Sequence, residues 1–188
     1  MGRWEPGAGG RLREAALNLY LERGFDQTMV NDIAERAGVT ARTFFRYFAD
    51  KREVLFDAAA EMEEKSLAAL EGAPATASAL ELVAAALDAV AGTIGHDREL
   101  ARIRHTVIMA NAELRERELI KLAQMTAALA DGLRRRGIGD AEAELAAETG
   151  AAVYRVAFRR WADDAGDLDL REAIDQSFAQ LRTLTAAD

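Results

Sequence analysis

Arg42, Phe45 and Arg46 sit at i, i+3 and i+4 in the stretch T-A-R-T-F-F-R-Y-F, residues 40–48. At 100° per residue they gather on one side of a helix, while Ala41, Phe44 and Phe48 gather roughly opposite and Thr43 and Tyr47 fall on a flank. Two guanidiniums on one helix face can each offer paired N–H donors to a planar pair of acceptors, such as guanine N7 and O6. Phe45 could meet a thymine methyl there, and Thr43 a base or a phosphate. Thr40 and Tyr47 are of the type that positions a nucleic-acid backbone.

Such a face works only if its helix is held from behind. Val30, Ile33, Ala34 and Ala37 form one apolar stripe, with Asn31, Asp32, Glu35 and Arg36 outside it. Gly38 supplies the left-handed conformation that ends this helix, and Val39 is placed to plug the gap before the next. Thr40 is a good N-cap for the second helix. Small Ala34 lets the two helices approach, giving the layout of a helix-turn-helix. A plain helical hairpin with core aromatics fits the same pattern.

Four segments carry a family resemblance. They are A-A-L-N-L-Y-L-E-R-G-F (15–25), T-M-V-N-D-I-A (28–34), A-G-V-T (37–40) and T-F-F-R-Y-F-A-D-K-R-E-V-L (43–55). Together they resemble the DNA-binding domain of the tetracycline-repressor (TetR) family of bacterial regulators, over about a quarter of the chain. The resemblance implies a phosphate contact for Lys51, because it extends through that residue; a solvated face is the plain alternative for Lys51 and Arg52. Thr28 can cap the second helix, and its hydroxyl and backbone N–H suit a phosphate. Phe45 stands where the family often has Tyr, so one phosphate-contacting hydroxyl is missing.

Composition agrees with an all-α protein. Half of the 188 residues are hydrophobic, only two are Pro, and Ala, Leu, Glu and Arg dominate. With no Cys, disulfides, thiolate metal sites and cysteine nucleophiles are excluded. No apolar run reaches the ~18 residues a membrane helix needs, and the N-terminus lacks the apolar core of a signal peptide, so no membrane partner and a cytoplasmic location are expected. The net charge of −8 is unevenly placed: residues 1–56 carry +1 and the remainder −9. DNA binding needs a basic face rather than a basic protein, and an acidic body limits loose contact with DNA.

The order of elements suggests about nine helices in three parts: a Gly-rich arm (1–10), a three-helix helix-turn-helix domain (11–56) and a helical body (57–188). Arg3 and Arg11 could enter a minor groove as basic arms do. The first helix spans Leu12–Arg23, with Leu12, Ala16, Leu19 and Tyr20 inward. A fourth helix is predicted as a continuous rod from Lys51 to Leu70, capped by Asp50 and broken at Gly72–Pro74. Ser78 and Glu81 form a capping box for the fifth. The sixth, from Arg98 to Ala110, is apolar on two sides and is expected at the centre of the body. A seventh (112–136) ends in three arginines suited to its C-terminal dipole. The eighth (140–163) and ninth (170–185) close the chain, with Gly150–Ala152 permitting close helix approach.

The resemblance implies a body that binds a small molecule in a cavity ringed by helices four to eight and releases DNA when filled. It also implies a homodimer through the last two helices; an intramolecular hairpin core fits them as well. Eight of the twelve aromatics lie before residue 57 and the other four on the last two helices, so helices four to seven offer mostly aliphatic walls. Met62, His105, Met109 and Met125 are the candidate ligand contacts, and an aliphatic, non-planar effector of unknown identity fits them. His96 and His105 are nine residues apart with no Cys, which makes no metal site. No catalytic constellation or cofactor motif is present, so the chain is expected not to be an enzyme. The reading is a DNA-binding transcriptional regulator, a ligand-responsive repressor that binds a palindromic operator as a homodimer; a helical interaction module or a small-molecule sensor without DNA readout is the alternative.

Overall fold

Gly38 turns the chain as its position demands, with φ +67°, and the N–H of Val39 returns to Ala34 O at 2.9 Å. Around that turn a computed structural model, which describes residues 7–186, places α1 (Ala8–Arg23), α2 (Val30–Arg36) and α3 (Ala41–Tyr47). Leu12, Leu19, Ile33 and Phe44 are fully buried between them, and half-buried Val39 packs on this core as its position in the turn suggests. α1 starts at Ala8, earlier than its apolar stripe, and takes Gly9 and Gly10 with it. Gly9 lies under the Tyr47 ring, which a Cβ would approach to 3.3 Å. Arg11 donates to Ala37 O at 3.3 Å, and Arg3 lies outside the described residues.

The expected rod from Lys51 to Leu70 is not continuous. A 3₁₀ turn, Glu53–Leu55, is followed by irregular backbone, and α4 begins only at Ala59 and ends at Gly72. Val54, Leu55 and Phe56 are all buried, and three consecutive buried side chains cannot share one face of a helix. The chain tightens there instead, and Asp50 Oδ1 caps the turn by accepting from the N–H of Arg52 (2.7 Å) and Glu53 (3.1 Å). Burial raises the Asp50 pKa, but these bonds and the Arg52 guanidinium outweigh it and hold the carboxyl below its usual value.

The remaining helices are α5 (Ala79–Ile94), α6 (Arg98–Ala110), α7 (Ala112–Arg135), α8 (Asp140–Asp163) and α9 (Leu170–Thr185). Contacts divide the chain into two units: one takes the described residues up to Asp57 with Glu99–Glu118, the other Ala58–Arg98 with Leu119 onward. The first unit therefore includes α6 and the start of α7, not only the helix-turn-helix. Val107, Ile108 and Leu114 are buried in its core, with Leu100 and Ile103 against them. Ion pairs rim this contact: Arg52 with Glu113, Arg117 with Glu53, and Arg104 with Glu118 at 3.2 Å. The guanidiniums of Arg104 and Arg117 also sit 5.3 and 5.8 Å from the Phe56 ring centre. α6 is thus not the centre of the body; its charged flank leaves one apolar edge, and that edge belongs to the first unit.

In the second unit α5 takes the central place, touching α4, α8 and α9. It buries Leu82, Val83, Ala86, Leu87, Val90 and Ala91, and the Ser78–Glu81 box starts it, with Ser78 N donating to Glu81 Oε2 at 2.7 Å. Arg136 reaches from beyond α7 to the end of α4, donating to Glu71 O (3.0 Å), Ala73 O (2.9 Å) and Pro74 O (2.8 Å). It therefore caps another helix rather than its own. Among the described residues no single helix is long and apolar enough to cross a membrane.

Candidate nucleic-acid interface and body cavity

α3 divides its aromatics by depth. Phe44 is 0% exposed and Phe48 is buried, whereas Phe45 is 57% exposed and Tyr47 lies open on the flank. Phe45 stands edge-on to Phe44 with ring centres 5.5 Å apart, so the buried ring props the exposed one. Thr40 starts the helix by accepting from Thr43 N at 3.2 Å, and the two hydroxyls are 3.1 Å apart. Arg42 and Arg46 are exposed on the same side. Other arginines of this unit pair with carboxylates: Arg13 with Asp57, Arg23 with Asp32 and Arg36 with Glu22. Among the described residues no carboxylate pairs with Arg42 or Arg46, and the Arg46 guanidinium rests 5.1 Å from the Tyr47 ring centre. Thr40, Arg42, Thr43, Phe45, Arg46 and Tyr47 are thereby brought onto one short helix, with the cationic groups unneutralised.

Thr28 and Lys51 are placed differently from their expected roles. Thr28 is fully buried, and its hydroxyl donates to Gly24 O at 2.9 Å; α2 is started instead by Met29, whose N–H donates to Asp32 Oδ2 at 3.0 Å. The Lys51 ammonium donates to Phe25 O (2.8 Å) and Thr28 O (2.9 Å), and lies 4.4 Å from the Phe25 ring centre. Lys51 O in turn accepts from the Tyr20 hydroxyl at 2.6 Å, and burial pushes that phenol well above its usual pKa. A lysine spent on carbonyls staples the loop between α1 and α2. Lys51→Met is expected to cost about 1–3 kcal/mol of stability, because it strands those carbonyls. Denaturant titration checks this; a lost phosphate contact would instead lower the salt slope of DNA binding by about one.

The second unit holds a cavity of about 560 Å³, its open mouth included, walled by residues of α4, α5, α7 and α8. Met62 and Met125 line it. His105 and Met109 do not: both lie on the part of α6 that belongs to the first unit, and Met109 is exposed. Sequence reasoning missed Glu63, Ser66 and Tyr154, which also line the wall. Glu63 looked like one of several solvated acids beside Met62, and nothing in its spacing set it apart. Gly150, expected to serve helix approach, lies inside this unit, where a Cβ would come 2.5 Å from Val83 Cγ1. Since Val83 is fully buried and short, Gly150→Ala is expected to destabilise the body by about 1–3 kcal/mol, read as a lower urea midpoint. Among the described residues no group of three or more His, Asp or Glu is arranged to hold a metal ion.

Residues 12–59 match the family described as bacterial regulatory proteins, tetR family, and residues 77–186, more than half of the chain, match the MftR C-terminal domain. The HTH-type transcriptional regulator TcmR of Streptomyces glaucescens is 40% identical over 107 residues, 57% of this chain and 47% of that protein. The chain thus matches about half the length of that relative. A putative transcriptional regulator of Pseudomonas aeruginosa PAO1 shares the fold with TM-score 0.67 and 19% identity, over 94% of this chain and 89% of that one. FadR of Bacillus subtilis, solved with stearoyl-CoA, does so with TM-score 0.63 and 22% identity, over 92% and 96%.

Proposed function

The chain belongs to the tetR family of bacterial regulatory proteins, and from that premise we propose that it is a ligand-responsive repressor that binds a pseudo-palindromic operator as a homodimer in the cytoplasm. The observation that carries this reading is α3: a helix anchored by Phe44, with Arg42 and Arg46 exposed and without carboxylate partners. In this reading α3 enters the major groove, Arg42 and Arg46 take guanine edges, and Phe45 meets a thymine methyl. Thr40, Thr43 and Tyr47 set the helix against the phosphates.

Exposed apolar residues on the last two helices support the dimer. Leu145 on α8 and Leu184 on α9 are 70% and 83% exposed, and Val156 on α8 is also open. Two-fold symmetry then sets the half-sites about one helical turn apart, roughly 34–36 Å. The effector fills the cavity walled in part by α4 and α7. α4 follows directly on the chain of the DNA-reading unit, and α7 carries residues of both units. Filling the cavity favours a head spacing that no longer fits both grooves. That FadR is solved with stearoyl-CoA supports an effector with a long apolar part here.

Footprinting across the DNA upstream of the gene, at several salt concentrations, tests the reading. Two protected half-sites one turn apart are expected, with affinity falling steeply as salt rises. Absence of any protected site at low salt would leave an interaction module as the better description.

A further inference from the structure

The polar groups lining the body cavity are few: Glu63, Ser66, Thr126 and the hydroxyl of Tyr154. Glu63 is the single charged residue among those lining it, and among the described residues no hydrogen bond or ion pair reaches its carboxylate. The two aliphatic hydroxyls have already used their protons: Ser66 donates to Ala86 O at 3.4 Å and Thr126 to Leu122 O at 3.0 Å. What these hydroxyls turn toward a guest is therefore lone pairs. Apart from the Tyr154 hydroxyl the rest is apolar, with Leu122, Leu129 and Met125 among the lining.

A carboxylate beside apolar walls gains most from a cation that brings its own donors. A carboxylate or phosphate guest would meet like charge at Glu63 and find no cation among the lining residues to offset it. We infer that the effector is an apolar amine, protonated at neutral pH, whose ammonium pairs with Glu63 while its hydrocarbon body fills the aliphatic end. This rests on the cavity being the effector site, as proposed above.

Calorimetric titration of the full chain with decylamine, 1-decanol and decanoate, each below its aggregation limit, separates charge from chain length. Decylamine is expected to bind at least about tenfold more tightly than decanoate, with the alcohol between them. Glu63→Gln should bring the amine down to the alcohol and leave the alcohol unchanged. Ala151→Phe, which fills the cavity from α8, should abolish binding of all three. Decanoate binding as well as the amine, an amine preference that survives Glu63→Gln, or amine binding that survives Ala151→Phe would each overturn the assignment. Failure of all three probes to bind would overturn it too. The operator footprint is measured on the same protein without any probe, so a lost amine preference beside an intact footprint condemns only this inference.

Discussion

Phe44→Ala is expected to unfold the helix-turn-helix unit under conditions where the wild-type chain is folded. Phe44 is fully buried and touches Phe45 and Phe48 with ring centres 5.5 Å away in each case. Truncating such a ring removes its transfer energy and leaves a cavity that so small a core cannot close, costing about 3–5 kcal/mol. Against a typical stability of about 5–15 kcal/mol for a whole domain, that loss is decisive for a small one. Phe45→Ala, one residue away but 57% exposed, should change stability by less than about 1 kcal/mol. Thermal and denaturant melts of the two variants compare them directly. Equal losses would mean that α3 is not held by its inner face.

The second large effect falls on DNA. Each guanidinium–base pair lost is worth about 1–3 kcal/mol, so the double variant Arg42→Ala/Arg46→Ala should lose about 2–6 kcal/mol of operator affinity if the two add. Its melting temperature should stay near wild type, because neither side chain has a carboxylate partner to forfeit among the described residues. Fluorescence anisotropy on operator and scrambled DNA reads both affinity and selectivity. A double variant that binds operator within roughly threefold of wild type would remove α3 as the reading element.

How far the sequence could be read depended on the range of the interaction. Local periodicity separated Phe44 and Phe48 from Phe45 and Tyr47, and the left-handed turn at Gly38 followed from one residue. The helices from the fifth to the ninth also fall close to where their caps and breakers put them. The Thr28 hydroxyl turns back onto Gly24 O, four residues earlier, rather than forward onto α2. Lys51 was illegible because its partners are backbone carbonyls brought close only by tertiary folding. The same holds for α6: its apolar edge was visible, but whether it faced the body or the helix-turn-helix was a question of destination. His105 and Met109 went with it. The break before α4 was hidden because Val54, Leu55, Ala58 and Met62 keep helical spacing across it, while buried Phe56 alone violates it.

The docking of α6 and the start of α7 onto the first three helices also orders events during synthesis. Val107, Ile108 and Leu114 close a core whose other members end at Phe56. A ribosome that has released the helix-turn-helix has therefore produced an unfinished unit, with apolar surface waiting for a strand of chain not yet made. All of α4 and α5 must emerge before Glu113 and Arg117 can reach Arg52 and Glu53. Closure of the unit that carries α3 consequently comes late in translation, after the α4 and α5 walls of the cavity already exist.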